Sequence, residues 1–174
     1  GKRADGLLFN GSHPDDLAWA RERVEEGLAE REGSDDEDDE GFDLAAYAAV
    51  SVAEDTDAAR EAARPPVAFI TAGAAPPVLE RHGIDREAAE RVEGSLSAGD
   101  FSGAFAEVTP AMVEAFSMAG TPGAVADRAR SVLEHADSLV LGTPLGPDLE
   151  TAIDLLGGAT RALVADPRDR TDSE

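Results

Sequence analysis

Two stretches of the chain share one layout, in which a short apolar segment leads into Gly-Thr-Pro and then into a helical pattern. The first reads FSMAGTPGAVADRARSVL and the second reads SLVLGTPLGPDLETAIDLL. Glycine permits a tight turn and proline suits the first turn of a helix, so both stretches predict a strand-to-helix turn. A chain built from such consecutive units is restricted to parallel strands flanked by helices.

Two further strand–helix units are predicted nearer the amino terminus. Residues 6–10 (GLLFN) form a short apolar run typical of a buried strand, and the GSHPDD that follows predicts a helix start, with Ser12 as the cap and Asp15 as its capping-box partner. Residues 43–52 (DLAAYAAVSV) are apolar on both faces, as in a strand covered on each side, although the alanines equally suit a helix. The helix after that strand is predicted to end near the proline pair at 65–66.

The remaining residues predict one domain with an insertion. Residues 66–115 are rich in glycine and proline between short helical fragments, which indicates a helical insertion between two strands. Strands are predicted at 115–120 and 138–142, and the last helix is predicted to stop at a Gly-Gly pair. A single domain over 1–158 and a frayed tail over 159–174 follow from this pattern.

Four strand–helix units in one direction predict an α/β fold with a parallel sheet. An open doubly wound sheet and part of a (β/α)8 TIM barrel both fit, and no strand is followed by a glycine-rich dinucleotide fingerprint. The acidic run 33–41 is interpreted as a mobile surface loop. It fails as a calcium loop, because its twelfth position, where a bidentate glutamate belongs, is Tyr47.

The charge of the chain restricts its partners and surroundings. There are 37 acidic and 15 basic residues, a net charge of −22, which argues against nucleic acid as a partner. The acid is spread over the helices, so adaptation to very high salt is favoured over a disordered acidic tail. Cysteine is absent, and no apolar run reaches the roughly eighteen residues that a bilayer needs, so a cytoplasmic protein without membrane association is predicted.

Polar groups at the carboxyl ends of the predicted strands are the candidate site, because ligands of parallel α/β folds bind there. His13 is the one histidine at such a strand end, whereas His82 and His135 are predicted on the surface near helix ends. Purely structural roles for the Gly-Thr-Pro turns and for His13 remain open alternatives, and neither a catalytic group nor a metal ligand is identified. The candidate cofactor- or substrate-binding residues are Asn10, Ser12, His13, Gly120, Thr121, Gly142 and Thr143.

An ordered set of segments resembles a known family. ADGLLFNGSHPDD, ARPPVAFITAGAAPPVLERHGID, EAFSMAGTP and LGTPLGPD are similar, in this order, to the carboxyl-terminal half of the methylenetetrahydromethanopterin reductases of the bacterial-luciferase-like superfamily. The resemblance implies about four strand–helix units of a (β/α)8 barrel with inserted helices. Together with the acidic composition, it indicates a haloarchaeal protein.

The resemblance also implies an activity. It implies an oxidoreductase that transfers a hydride between the reduced deazaflavin coenzyme F-420 and a one-carbon group on a pterin or folate carrier. A flavin-dependent (FMN) monooxygenase is one alternative, and a catalytically silent half barrel is another. A homo-oligomer or pairing with an amino-terminal half barrel is expected, because four strand–helix units alone leave two open strand edges and an uncovered barrel interior.

Overall fold

In the computed structural model, residues 3–30 and 41–164 are described. The acidic run 33–41 lies outside this range apart from Gly41, so its predicted role as a loop stays a prediction. The described residues form β1 (Gly6–Asn10), α1 (Pro14–Ala29), β2 (Asp43–Val52), α2 (Thr56–Gly73), α3 (Pro76–Arg81), α4 (Arg86–Ser97), α5 (Phe101–Glu107), α6 (Pro110–Phe116), β3 (Met118–Gly120), α7 (Pro122–Leu133), β4 (Ser138–Leu145) and α8 (Leu149–Val164).

The four strands form one sheet centred on β2, and every pairing is parallel. Tyr47 pairs with Asn10 of β1 and with Val140 of β4, so these two strands lie on opposite edges of β2. Ser51 pairs with both β3 and β4, so these two strands also lie on opposite edges of β2. β3 therefore lies on the same edge of β2 as β1, nearer to the carboxyl end of β2. The carboxyl ends of all four strands therefore point to the same end of the sheet.

The predicted α/β class with a parallel sheet is confirmed. The strand order differs from that of consecutive barrel strands, in which each strand pairs with its predecessor. Here β4 pairs with β2 instead of β3, and β3, which is three residues long, pairs only with the carboxyl end of β2.

One face of the sheet is covered by α1, α7 and α8, and α2 packs on β2 and β3 as well. A hydrophobic cluster, called here the sheet core, fills this side, and its small alanines bring the helices close to the strands. On the opposite face Leu8 is 63% exposed and Val140 is 44% exposed. The prediction that β1 is a buried strand is wrong, because β1 lies at an edge of the sheet and Leu7, on the face opposite to Leu8, is 40% exposed as well. The sheet core consists of Leu17, Ala46, Ala48, Val50, Val52, Met118, Val125, Ala129, Val132, Ala136, Ala152 and Leu156.

The helical insertion has a hydrophobic cluster of its own, called here the insertion core. It is formed by α2, α3, α4 and α6 with the residues between them. The predicted end of α2 at 65–66 is wrong, because its buried stripe continues beyond the prolines through Val67 and Ala68. Arg64 also fastens α2 by donating from Nη1 to the carbonyl oxygens of Phe105 (3.1 Å) and Val108 (2.9 Å). The insertion core contains Ala63, Val67, Ala68, Leu79, Ile84, Ala88, Ala89, Val92, Val108, Met112, Val113, Ala115 and Phe116.

Two other boundaries depart from the sequence patterns. The segment predicted as a strand over 115–120 belongs to α6 through Phe116, and only its last three residues are β3. The stop expected at the Gly-Gly pair is wrong, because α8 continues to Val164 and Ala159 extends its buried face. Part of the expected tail is thus helical, and residues 165–174 lie outside the described range.

Candidate functional site

A cleft of about 680 Å³ opens beside the carboxyl ends of β1 and β2. Its walls come from α1, the end of α2, α3 and α6, so the sheet and the helical insertion both contribute. The lining is mainly apolar, as is common in sites for small organic ligands. Five aromatic side chains line it, namely Phe9, Trp19, Tyr47, Phe69 and Phe116. Its polar side chains are Asn10, Ser12, Asp16, Arg81 and the Tyr47 hydroxyl.

Asn10 and Ser12 both reach this cleft from the end of β1. The ladder with β2 is extended past Asn10 by a hydrogen bond from the Gly11 amide to the Tyr47 carbonyl oxygen (3.0 Å). Ser12 is 2% exposed, and its hydroxyl donates to the carbonyl oxygen of Ala115 at 3.5 Å. That bond ties the strand end to α6 and leaves the Ser12 oxygen able to accept.

His13, not Ser12, caps α1, which corrects the predicted capping box. Its Nδ1 accepts from the Asp15 amide at 3.3 Å, so in the neutral ring the proton belongs on Nε2. Burial lowers the pKa of His13, and the charges of Arg128 and His82 lower it further. His13 does not line the cleft but lies behind its wall, with its ring edge-on to His82 at a centroid distance of 4.6 Å.

A buried cluster joins α1 to the end of α3. Asp16, whose side chain is 8% exposed, accepts from Arg81 Nη1 through Oδ1, and its Oδ2 lies 2.8 Å from His82 Nε2. The His82 side chain is 5% exposed, so the prediction that His82 is a surface residue is wrong. One signal was present in the sequence, because Asp16 precedes the buried Ala20 by four residues and so lies on the buried stripe of α1.

The first Gly-Thr-Pro turn lies on a smaller cavity of about 130 Å³. Gly120 lines it together with Arg60 and Arg128, and Arg128 is paired with Glu114. Thr121 caps α7, since its Oγ1 accepts from the amide of Ala124 at 3.4 Å.

The second Gly-Thr-Pro segment lies within β4. A Cβ on Gly142 would stand 2.5 Å from the Tyr47 ring, so the glycine allows that aromatic side chain to lie against β4 beside the cleft. Thr143 is exposed. The helix α8 begins only at Leu149, where Asp148 Oδ1 accepts from the amide of Thr151 at 2.9 Å. The expectation that Pro144 sets a first helical turn is therefore wrong.

The candidate residues share one end of the sheet but divide between two cavities. Asn10 and Ser12 line the cleft and Gly142 contacts it through Tyr47, whereas Gly120 faces the smaller cavity. Within residues 3–30 and 41–164, no group of three or more His, Asp or Glu side chains is placed to hold a metal ion. The same part of the chain has no helix that is both long and apolar enough to span a membrane.

The sequence of the chain is similar to those of known proteins. The profile of a family described as luciferase-like monooxygenase matches residues 1–137. A 5,10-methylenetetrahydromethanopterin reductase of Methanopyrus kandleri is 44% identical over 158 residues, which are 90% of this chain and 44% of that protein. The same-named protein of Archaeoglobus fulgidus is 42% identical over 88% of this chain and 46% of its own length.

A solved structure is similar as well. The coenzyme F-420 dependent tetrahydromethanopterin reductase from Methanopyrus kandleri superposes with a TM-score of 0.80 at 43% identity. The superposition covers 90% of this chain and 44% of that one. The chain thus spans about half the length of the relatives that it matches.

Proposed function

Since the chain belongs to the luciferase-like monooxygenase family, we propose that it is the carboxyl-terminal part of an F-420-dependent 5,10-methylenetetrahydromethanopterin reductase. The reaction is hydride transfer between the reduced deazaflavin and the methylene group of a pterin-linked one-carbon carrier. The observation that carries the proposal is the similarity to reductases of this name at 40–44% identity over about nine tenths of the chain.

The residues of the cleft fit a planar ring system. Aromatic side chains such as Trp19 and Tyr47 offer faces for stacking, and the apolar lining excludes water from a reacting carbon. Asn10 supplies an amide that can both donate and accept, and Ser12 supplies an accepting oxygen at the strand end. Coenzyme F-420, when bound, supplies the redox chemistry, so the task of these residues is to orient two ring systems.

The other candidate residues have distinct roles in this proposal. Gly142 lets Tyr47 lie against β4. Thr143 follows it in the chain with an exposed side chain, which we propose is free to contact a ligand that extends out of the cleft. Gly120 lies at the smaller cavity, where Arg60 supplies positive charge for an anionic substituent and Arg128 is already paired with Glu114. Thr121 holds the start of α7 beside this cavity through its cap. His13 does not touch the ligand in this proposal; its ring packs against His82 and so supports the wall of the cleft from behind.

The fold proposed for the complete enzyme is a (β/α)8 barrel, to which this chain contributes about four units. Parallel sheets are normally covered on both faces, yet the face carrying Leu8 and Val140 is open in the described chain. That face is then the barrel interior, covered by an amino-terminal half or by a second copy. A closed barrel requires β4 to pair with β3 instead of with β2, its partner here. The acidic composition supports a cytoplasmic, haloarchaeal protein adapted to high salt.

The test is oxidation of reduced F-420 by 5,10-methylenetetrahydromethanopterin, followed by absorbance. The chain is assayed alone in molar salt and again together with the amino-terminal half of the Methanopyrus kandleri reductase. We expect turnover in the combined sample, and we expect Asn10→Ala to reduce it. Arg86→Gln is the matched control, since Arg86 lies on the exposed surface of α4 and pairs with Glu90.

The opposite results are equally clear. Failure of the combined sample to bind or oxidise reduced F-420 contradicts the reductase. Oxygen-dependent oxidation of an aldehyde with reduced FMN instead supports the monooxygenase alternative, which the family description favours. A folded mixture that binds neither cofactor supports the silent half barrel.

A further inference from the structure

We propose that Asp16, Arg81 and His82 form a positioning clasp that holds α3 against α1 and thereby sets the width of the ligand cleft. The clasp is a set of side-chain contacts and does not depend on which ligand occupies the cleft. Only the ligand-binding arm of its test rests on the proposed function.

The clasp joins two parts of the fold that are far apart in the sequence. Asp16 belongs to the first strand–helix unit, whereas Arg81 and His82 end a helix of the insertion, 65 and 66 residues later. Both carboxylate oxygens of Asp16 are used, one by each partner. Two directional contacts fix both the distance between the end of α3 and α1 and the rotation of that end. A single contact would fix the distance but leave the rotation free.

The burial of this cluster argues for a role in positioning. A buried carboxylate loses the stabilisation of water, and its ion pairs often do no more than offset that cost. Apolar contact alone can attach α3, because Leu79 of the same helix is already buried in the insertion core. What charged, directional contacts add is a defined geometry, which is what the wall of a ligand site requires.

Arg81 carries this geometry into the cleft. Its guanidinium group is held by Asp16 and also lies over the ring of Trp19, 5.3 Å from the ring centroid. Arg81 and Trp19 both line the cleft, one on each of the two walls that the clasp connects. Loss of the clasp therefore separates the walls at an aromatic face on which a planar ligand would stack.

His82 extends the clasp to the back of the site. Its ring is edge-on to His13, and it lies 5.9 Å, centroid to centroid, from Phe116, which lines the cleft. The Asp16 carboxylate thus holds the His82 ring, which packs against His13, the cap of α1. The same ring contacts α6, which forms a third wall of the cleft. The sequence separation of these groups explains why local patterns did not reveal them.

Trp19 is the single tryptophan of the chain and is 45% exposed with Arg81 over its ring, so its fluorescence reports whether Arg81 stays in that position. Asp16→Asn leaves the Arg81 side chain in place and therefore tests the clasp apart from the loss of that side chain. We expect Arg81→Gln and Asp16→Asn to raise the acrylamide quenching constant of Trp19 and to shift its emission to longer wavelength. Arg86→Gln, which removes an exposed charge on the neighbouring helix α4, should change neither. Arg81→Lys keeps the charge but not the planar fork, and it should restore only part of the protection.

Several outcomes would overturn the clasp. Unchanged quenching and emission in folded Arg81→Gln contradict it, as does an equal change in Arg86→Gln. If Asp16→Asn fails to fold, Arg81→Gln and Arg81→Lys decide alone, because neither leaves Asp16 without the His82 contact. Circular dichroism of each variant establishes that it is folded.

A second measurement separates the clasp from the proposed function. If wild-type chain combined with the amino-terminal half of the Methanopyrus kandleri reductase binds reduced F-420, Arg81→Gln should weaken that binding by about tenfold or more, since a displaced wall misplaces the ligand. Equal affinity in wild type and Arg81→Gln overturns the positioning role. If wild type binds no F-420 while Trp19 quenching still rises in Arg81→Gln, the clasp stands and the proposed function fails.

Discussion

The two Gly-Thr-Pro segments have the same three residues and different structures. In the first, Gly120 ends β3, Thr121 caps α7, and Pro122 is the first residue of the helix. In the second, Gly142, Thr143 and Pro144 all lie inside β4. The helix that follows has its own cap, Asp148, and begins later.

The difference shows that the spacing after the motif decides what its residues do. The first motif is followed directly by a helical pattern, so the threonine is in position to cap. The second is followed by Leu-Gly-Pro-Asp, which contains a complete helix start of its own. Leu145 adopts a positive φ of 71° there, and β4 shows a register shift against β2 between Ala49 and Ser51. Despite these irregularities, β4 continues through the motif to Leu145.

The largest expected difference between the two segments concerns their close-packed glycines. A Cβ on Gly146 would lie 2.5 Å from the backbone oxygen of Val52, whereas on Gly120 its nearest neighbour is Ala124 Cβ at 3.3 Å. Because backbone yields less than a side chain end, we expect Gly146→Ala to cost about 2–3 kcal/mol and Gly120→Ala less than about 1 kcal/mol. Urea unfolding measures both free energies.

Gly123→Ala is the control for these glycine variants, since nothing lies within 4 Å of its added Cβ. A Gly146→Ala variant as stable as Gly123→Ala would show that the second segment is no more tightly packed than the first.

A smaller difference is expected for the two threonines. Thr121→Ala removes the side-chain cap of α7 and should lower the free energy of unfolding by about 1 kcal/mol. Thr143→Ala removes no cap and changes an exposed side chain, so its effect should stay within about 0.5 kcal/mol. Thr121→Ser, which retains the hydroxyl, should recover most of the loss in the same urea titration. Equal losses in the two alanine variants would contradict the distinction.

The smallest effect is a difference in pH response between the two caps. Hydrogen bonds from the backbone amide and side chain of Thr151 hold the pKa of Asp148 below its usual value, whereas the Thr121 cap does not ionise. A carboxylate with a lowered folded-state pKa stabilises the fold above its unfolded pKa, and this contribution is lost as pH falls through the folded value. Asp148→Asn should therefore lose less stability than wild type on acidification.

Comparing wild type with Asp148→Asn removes the common response of the other acidic residues. Urea midpoints of both proteins at neutral pH and near pH 3 supply the measurement. If the urea midpoints of the two proteins differ by the same amount at both pH values, Asp148 does not titrate as a cap.

Local patterns predicted those elements whose cause is local. β2 was predicted from its apolar run and α7 from the Gly-Thr-Pro turn with the helical pattern after it. β2 occupies the predicted residues 43–52, and α7 begins at the proline of the turn. α2 was cut short in the prediction because proline disfavours a helix locally, while packing in the insertion core carries the helix past the proline pair. At the proline pair, the burial of apolar side chains therefore outweighs the low helix propensity of proline.

The candidate site was predictable only in part, for the same reason. Asn10 and Ser12 could be chosen because parallel strands bring their carboxyl ends together. The partners of Asp16 could not, since a buried ion pair with the end of α3 depends on how the insertion docks on α1. A polar residue on the apolar stripe of a helix indicates that its side chain has a buried partner elsewhere in the fold, but the sequence does not identify that partner.

The two hydrophobic clusters have a consequence for how the chain opens. Each is a separate unit of buried contacts, and α2 is the element shared between them, since it contributes to the insertion core and also packs on β2 and β3. Amides in α4 and α5 can then exchange with solvent through a partial opening that leaves the sheet intact. Opening of α2 has to disturb both units, so its amides report on global unfolding.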